Sequence, residues 1–203
     1  MIIASPIWLG SASPRRRQLL QEAGLDVHVS PSDLDDGRLR RGSVTPRQWV
    51  MALAYFKARR VAEILTRTAG SAESPGGTVL AADTVCVQGE SILGQPADAD
   101  HARSMLRTMR NHVHQTITGV CLLPLGPGPR LMFVDQAEVH VGPLTDVQID
   151  SYVDSGGWWG KAGAYNLAER IADGWPIQCR GDPATVMGLP MRRLRGLMAL
   201  GEN

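Results

Sequence analysis

The chain has 203 residues, of which 43% are hydrophobic and 20% are charged. These proportions are typical of a folded globular protein and exclude a disordered or collagen-like chain. Its 21 basic and 20 acidic residues nearly cancel, whereas a protein that coats nucleic acid usually carries a large basic excess. The sequence shows neither an apolar run of about 18 residues, which a membrane span needs, nor the pattern of a secretion signal. We therefore predict a cytoplasmic protein that binds neither nucleic acid nor a membrane.

The three cysteines favour the same location. Cys86, Cys121 and Cys179 are odd in number, lie far apart and have none of the spacings of a structural zinc site. Each has apolar neighbours, so we predict buried free thiols, which fit a reducing compartment.

Strands and helices alternate along the sequence. Ser13 and Pro14 suit the cap and the first residue of a helix, and Thr145 and Gln148 have the spacing of a capping box. The predicted strands are 7–9, 27–29, 78–87, 115–123 and 135–141. The predicted helices are 15–23, 46–66, 97–109, 145–153 and 191–200, and 161–190 is predicted to be rich in loops. This alternation predicts an α/β domain with a mixed sheet and flanking helices.

The first candidate site is the segment 11–17, which reads Ser-Ala-Ser-Pro-Arg-Arg-Arg. Small residues ahead of a helix leave backbone N–H groups free to bind an anion, and the arginines Arg15 and Arg16 can reach the same anion with forked hydrogen bonds. The alternative is a basic turn that is only solvated.

The second candidate is Asp83, which interrupts the apolar run 78–87 and is followed by Thr84. A carboxylate buried inside a strand needs a cation or a hydrogen-bond partner, so Asp83 is a candidate metal ligand or general base. The alternative is a strand end at which Asp83 points into water.

An acidic turn supplies further carboxylates at Asp33, Asp35 and Asp36. Oxygen ligands of this kind suit Mg²⁺ or Mn²⁺, although many acidic turns are only solvated. His112 and His114 alternate and can share one strand face as metal ligands, but no third ligand is evident, which favours a structural role.

The chain contains two lysines, Lys57 on the predicted helix 46–66 and Lys161 near the start of the loop-rich segment. All other basic residues are arginines, so both lysines are candidates for a specific contact. Most exposed lysines have no such role.

Together these segments resemble the Maf family of nucleotide pyrophosphatases. The matching segments, in the order of the family, are 11–16, 82–85, 94–96, 118–120, 161–165 and 188–190. The resemblance covers almost the whole chain. It implies a single domain over residues 1–203, with two lobes around a deep cleft as in the inosine triphosphate pyrophosphatases. It also implies a homodimer that hydrolyses nucleoside triphosphates to the monophosphate and pyrophosphate with Mg²⁺ or Mn²⁺.

The resemblance also implies roles for individual residues. Asp83 matches the catalytic acid or base of the family, and Asp83 and Asp36 match its metal ligands. The residues expected to contact the substrate are Ser13, Arg15, Arg16, Lys57, Thr84 and Lys161.

Three positions depart from the family pattern. Gln95 replaces a lysine and so removes a cation, Asp36 replaces a glutamate, and Ala168 stands where enzymes for dTTP and UTP have a glutamine that reads the base. Loss of such a hydrogen bond can cost orders of magnitude in discrimination. The reaction is therefore predicted, whereas the preferred base is left open. The rival hypotheses are a nucleotide sensor without turnover and a regulator of cell division.

Overall fold

The computed structural model describes residues 4–34, 39–69 and 75–199. Within these residues the strands are β1 (Ile7–Leu9), β2 (Val27–Val29), β3 (Thr78–Gln88), β4 (Ser91–Leu93), β5 (His112–Pro124), β6 (Leu131–Val141) and β7 (Ile177–Arg180). The helices are α1 (Pro14–Glu22), α2 (Pro46–Ala69), α3 (Ala99–Met109), α4 (Asp146–Asp154), α5 (Leu167–Ala172), α6 (Pro183–Val186) and α7 (Met191–Ala199), with a 3₁₀ turn at Ala162–Ala164. No helix in these ranges is both long and apolar enough to span a bilayer.

The described strands form one mixed sheet in the order β2-β1-β3-β5-β6-β7, and β4 pairs with β3. Strand β1 runs parallel to both neighbours, with Ile7 opposite Val27 and Thr78. Strand β4 is antiparallel to β3, and β7 is antiparallel to β6. The predicted α/β class with a mixed sheet and flanking helices is therefore confirmed.

The chain divides into two compact units. The first unit comprises 1–83, 118–135 and 188–203, and the second comprises 84–117 and 136–187. The segments of the first unit carry 15 basic and 10 acidic residues, a net charge of +5, whereas those of the second carry 6 basic and 10 acidic residues, a net charge of −4. The near-zero charge of the chain thus hides an uneven distribution. A single domain over the whole chain stays a prediction.

Each unit has its own hydrophobic core. In the first unit, small residues of α2 pack on β3 and β5. This cluster contains Ala54, Ala58 and Val61 of α2, Val79 and Ala81 of β3, and Cys121 of β5. In the second unit, α3 buries Ala102, Met105, Leu106 and Met109. This spacing of three and four residues places the four side chains on one helical face. In both cores the buried residues of the helix therefore follow the helical spacing of apolar residues in the sequence.

The last third of the chain differs from prediction. Residues 161–190 are not mainly loop, because they contain the 3₁₀ turn, α5, β7 and α6. These elements have only three to six residues each, which is too short for a helical or strand period to be read from sequence. Strand β4, with three residues, was missed for the same reason.

Candidate active site

The start of α1 forms one side of the candidate site in the first unit. Ser13 caps the helix, with its Oγ accepting from the Arg16 amide at 3.5 Å, and Pro14 is the first helical residue. The Ser11 hydroxyl accepts from the Ser13 amide and from the Arg16 Nη1, each at 3.2 Å. The predicted helix start is thus confirmed. It brings two hydroxyls and an arginine to the positive end of the helix.

Arg16 connects this helix start to two other segments of the same unit. Its Nη1 donates to the Ala82 carbonyl and its Nε donates to the Gly188 carbonyl, both at 2.8 Å. Gly188 has a φ of 96°, and a Cβ there would lie 2.9 Å from the Arg16 Nε. Glycine is therefore required for this approach. Through its bond to Ala82, Arg16 is held next to Asp83 along the chain.

Asp83 lies on β3 and pairs with Lys57 of α2. The Lys57 Nζ is 2.6 Å from the Asp83 Oδ1, and the two side chains are only 15% and 11% exposed. The carboxylate is therefore buried, and the alternative that Asp83 points into water is wrong. A buried charge is tolerated only with such a partner. Two features of the sequence pointed to these residues, a carboxylate in an apolar strand and a rare lysine, but neither predicted that the two side chains meet.

Helix α2 reaches this position because β5 has a glycine beneath it. A Cβ at Gly119 would lie 2.6 Å from the carbonyl carbon and oxygen of Val50, so any side chain there would push the helix away. Val50 and Lys57 are seven residues apart, which places them on one face of α2. The close approach of α2 to Gly119 thus determines how far Lys57 lies from the sheet.

The other predicted site residues fall in several places. Arg15 is half-buried on α1 in the first unit. Thr84 is half-buried and follows Asp83 on β3, although it belongs to the second unit together with Lys161. Asp36 lies outside the described residues. In the described ranges no three His, Cys, Asp or Glu side chains are grouped so that they could hold a metal ion.

Lys161 begins a turn in the second unit. Its Nζ donates to the Glu169 Oε2 at 2.8 Å, and its side chain is 16% exposed. Asn166 caps α5 by accepting from the Ala168 amide at 3.0 Å, and its side chain also donates to Glu169. Ala168 itself is exposed. The carboxylate of Glu169 thus holds two donors of this segment, a role that the sequence did not reveal.

The two histidines of β5 lie in different surroundings. His114 is 1% exposed and its Nε2 is 2.9 Å from the Tyr165 hydroxyl. Burial lowers its pKa to about 4, so the ring is neutral near pH 7. His112 is exposed, with its Nδ1 2.8 Å from the Arg110 carbonyl oxygen. The structural role favoured for these residues fits this geometry.

Sequence comparisons identify the family. The family model described as Maf-like protein matches residues 6–200. The chain belongs to the Maf family. A dTTP/UTP pyrophosphatase of Salinibacter ruber is 39% identical to this Maf chain over 194 residues, covering 95% of the chain and 89% of the relative. A dTTP/UTP pyrophosphatase of Anaeromyxobacter dehalogenans is 38% identical and covers 97% of the chain and 94% of the relative.

A third relative and one solved structure complete the comparison. The dTTP/UTP pyrophosphatase of Brucella abortus is 35% identical and covers 99% of this Maf chain and 94% of the relative. The Ham1 protein of Staphylococcus aureus is a solved structure with 16% identity and a TM-score of 0.43, covering 66% of the Maf chain and 71% of that chain. The family assignment rests on the sequence matches, and it confirms the resemblance seen in the motifs.

Proposed function

We propose that this chain is a metal-dependent nucleoside triphosphate pyrophosphatase that releases the nucleoside monophosphate and pyrophosphate. The observation that carries the proposal is the buried pair of Asp83 and Lys57, which lies one residue from the carbonyl bound by Arg16. It provides a carboxylate for proton transfer and cations for phosphates within one unit. The family match and the names of the relatives support the same reaction.

In this proposal the triphosphate binds at the start of α1. The positive end of the helix and the Ser13 hydroxyl favour an anion, and Arg15 and Arg16 add cationic donors. Lys57 neutralises Asp83 in the free protein and turns toward the phosphates when they arrive. The net charge of +5 on the first unit favours approach of a polyanion.

Asp83 then acts as the general base. Its carboxylate accepts a proton from water, the water oxygen attacks the α-phosphorus, and the bond from that phosphorus to the bridging oxygen breaks. Pyrophosphate leaves with the bridging oxygen. Phosphoryl transfer of this kind depends mainly on positioning and on charge neutralisation, which the arginines and Lys57 provide.

The residues present fit a divalent cation. Mg²⁺ is commonly held by one or two carboxylates together with substrate phosphates, and Asp83 supplies one carboxylate with hard oxygen donors beside the proposed phosphate site. Asp36, the second proposed ligand, lies outside the described residues. A bound Mg²⁺ or Mn²⁺ neutralises phosphate charge as it develops.

The proposed contacts to the substrate include two residues outside the first unit. We propose that Thr84 and Lys161 contact the substrate, and that the exposed methyl group of Ala168 cannot form base-reading hydrogen bonds. The three relatives described above are named dTTP/UTP pyrophosphatases, so these two nucleotides belong in any test. Standard and modified (d)NTPs are the proposed substrate class.

The first experiment measures pyrophosphate release from NTPs, dNTPs and modified nucleotides, with and without Mg²⁺ or Mn²⁺. We expect metal-dependent release that a chelator abolishes, and the ranking of bases reports the effect of Ala168. Nucleotide binding without any release would overturn the enzyme in favour of a sensor.

Replacing the proposed base tests its role directly. Asp83→Asn removes the proton acceptor and keeps the size of the side chain, so turnover should fall by about two to four orders of magnitude. Asn cannot form the ion pair with Lys57, so urea unfolding must show that the variant is folded. A folded variant with near-normal turnover would contradict the assignment of Asp83.

The remaining proposals concern assembly and location. We propose a homodimer, as the resemblance to the family implies, and a cytoplasmic location. All three cysteines are free, which is compatible with a reducing compartment. Light scattering on the intact chain measures the mass of the particle, and a monomer at assay concentration would overturn the dimer.

A further inference from the structure

A buried polar pair in the second unit has no part in the chemistry proposed so far. His114 of β5 and Tyr165 share a hydrogen bond of 2.9 Å, and their rings meet edge to face at 5.7 Å. Both side chains are almost fully buried. Within the described part of the chain the His114 Nδ1 is buried without a hydrogen-bond partner. An unsatisfied polar atom is costly, so an apolar residue would serve better if this position only filled space.

Tyr165 ends a turn whose backbone is strained. The residues from Lys161 to Tyr165, called here the 161–165 turn, contain the 3₁₀ segment Ala162–Ala164. Gly163 has a φ of 71° and Ala164 has a φ of 65°. A Cβ makes this left-handed conformation unfavourable for alanine. Such strain persists only where the surroundings fix the backbone, and it is concentrated at ligand-binding segments.

Several contacts besides that of the histidine hold the 161–165 turn. The Tyr152 hydroxyl donates to the Ala164 carbonyl at 3.0 Å, and the Gly163 amide donates to the Gly94 carbonyl at 3.0 Å. A Cβ on Gly163 would lie 2.9 Å from the Cys86 Sγ, so β3 packs directly on the turn. His114 adds a further anchor at Tyr165, the last residue of the turn.

The first residue of this turn and the residue that follows the turn both contact Glu169, which forms a polar cluster with them. Lys161 opens the turn, Asn166 follows Tyr165, and both donate to the Glu169 carboxylate. Asn166 is 4% exposed, so its side chain has little freedom. A shift of Tyr165 would therefore move Asn166, the next residue, and with it the Glu169 carboxylate to which Lys161 donates.

We infer that His114 is a positioning residue: through Tyr165 it fixes the 161–165 turn and thereby orients Lys161 for the substrate. His114 itself touches no substrate. The inference rests on the proposed function, in which Lys161 contacts the nucleotide. It explains why a histidine occupies a buried position on β5 where a leucine would pack without an unsatisfied atom.

The test compares three variants of β5 by steady-state kinetics on the intact chain. His114→Leu removes the hydrogen bond to Tyr165, whereas His114→Gln keeps a polar group in similar reach. His112→Leu is the matched control, because the same change is made two residues away at an exposed position. We expect KM of His114→Leu to rise about tenfold with kcat within about threefold, which is the effect of about one lost hydrogen bond. His114→Gln should recover part of the loss, and His112→Leu should behave as wild type.

The split between KM and kcat separates positioning from a general loss of stability. A partly unfolded variant has fewer active molecules, which lowers apparent kcat and leaves KM unchanged. The double variant His114→Leu/Tyr165→Phe, compared with each single variant, provides a second criterion. Because both residues act through one bond, the double variant should have nearly the KM of His114→Leu alone. Fully additive effects, or a KM within about twofold of wild type, would overturn the inference.

Failure of the proposed function is distinguishable from failure of this inference. If the wild type releases no pyrophosphate, the pyrophosphatase is overturned, and calorimetry with a nucleoside triphosphate then replaces the kinetic readout. A weaker Kd for His114→Leu than for His112→Leu still supports the positioning role. Equal Kd values, or no nucleotide binding by the wild type, overturn it.

Discussion

Asp83 and Lys57 stabilise each other because both side chains are largely shielded from bulk water, as their 2.6 Å contact and low exposure indicate. The burial of Asp83 was one of two interpretations of the sequence, in which apolar residues precede Asp83 and follow Thr84. Its partner was not predictable, because 26 residues separate the two side chains and local periodicity carries no information on which helix crosses which strand. The sequence can thus indicate the surroundings of a single residue, but it does not identify the partner of that residue in the fold.

His114 makes stability depend on pH. Burial lowers its pKa in the folded protein to about 4, from an ordinary value of 6.5. The unfolded chain therefore binds the proton more tightly, and the folded state loses stability as the pH falls from 6.5 towards 4. The slope is about 1.4 kcal/mol per pH unit. We expect the free energy of unfolding, measured with urea, to be about 2 kcal/mol lower at pH 5 than at pH 7 because of this residue.

The control for this effect is His114→Gln, which carries no titrating group. All other ionisable residues are the same in both proteins, so the difference between the two pH slopes belongs to His114. Tyr165 and Cys86, which lie near it, have raised pKa values because of burial and stay neutral over this range. Equal slopes for the two proteins would contradict the lowered pKa of the imidazole.

The position of α2 depends on a single residue of β5. The helix itself was predicted as 46–66 from its apolar spacing and extends over Pro46–Ala69. The contact with Gly119 was not predicted, because a glycine within a strand pattern does not reveal which backbone approaches it. The structure gives this glycine a definite role, since α2 carries Lys57.

A methyl group at Gly119 should disturb both the fold and the site. Gly119→Ala places its Cβ 2.6 Å from the Val50 backbone, and such overpacking costs about 1–3 kcal/mol. Because α2 must move away from the sheet, the Lys57 contact to Asp83 should weaken as well. We expect a lower urea midpoint and a raised KM for the nucleotide.

Gly126→Ala is the matched control, since a Cβ at this position meets no atom within 4 Å. Its stability and KM should stay close to wild type. A Gly119→Ala protein that unfolds at the same urea concentration as Gly126→Ala would show that α2 adjusts freely to the added methyl group.

The short elements of the second unit mark the limit of sequence patterns. Helix α5 has six residues and β7 has four, so neither completes enough turns or alternations to stand out. Their ends are fixed instead by Asn166, which caps α5, and by pairing of β7 with β6. Side-chain caps and long-range strand pairs are thus the information that a local period lacks.

For the whole molecule, the class of sheet was predictable and the strand order was not. Alternating strands and helices imply an α/β fold, but the position of β1 between β2 and β3 depends on contacts such as Ile7 with Thr78, 71 positions further along the chain. The charge distribution was equally hidden, because the net value of +1 averages over two units of opposite sign.

This charge distribution should make substrate capture sensitive to salt. A polyanionic nucleotide is attracted by the first unit, and salt screens that attraction over about 10 Å at 0.1 M. We expect kcat/KM to fall roughly three- to tenfold when the ionic strength rises from about 0.05 to about 0.5 M at fixed Mg²⁺, while kcat changes little.

Two exposed residues provide the comparison for this effect. Arg17→Gln lowers the charge of the first unit and should flatten the dependence on salt, whereas Glu90→Gln alters only the second unit and should leave the slope as in wild type. Equal slopes for both variants would mean that the salt effect does not arise from the first unit.

The chemical reactivity of Cys86 reports on how β3 packs against the 161–165 turn. Its thiol is covered by Gly163, and burial raises its pKa to about 11. Alkylating reagents attack the thiolate, so this sulfur is modified only while the turn is displaced. The rate of alkylation at Cys86 therefore reports how often the turn opens in the native protein. Peptide mass distinguishes this modification from that of Cys121 and Cys179. A nucleotide that holds the turn closed slows this modification, so occupancy can be followed without any turnover.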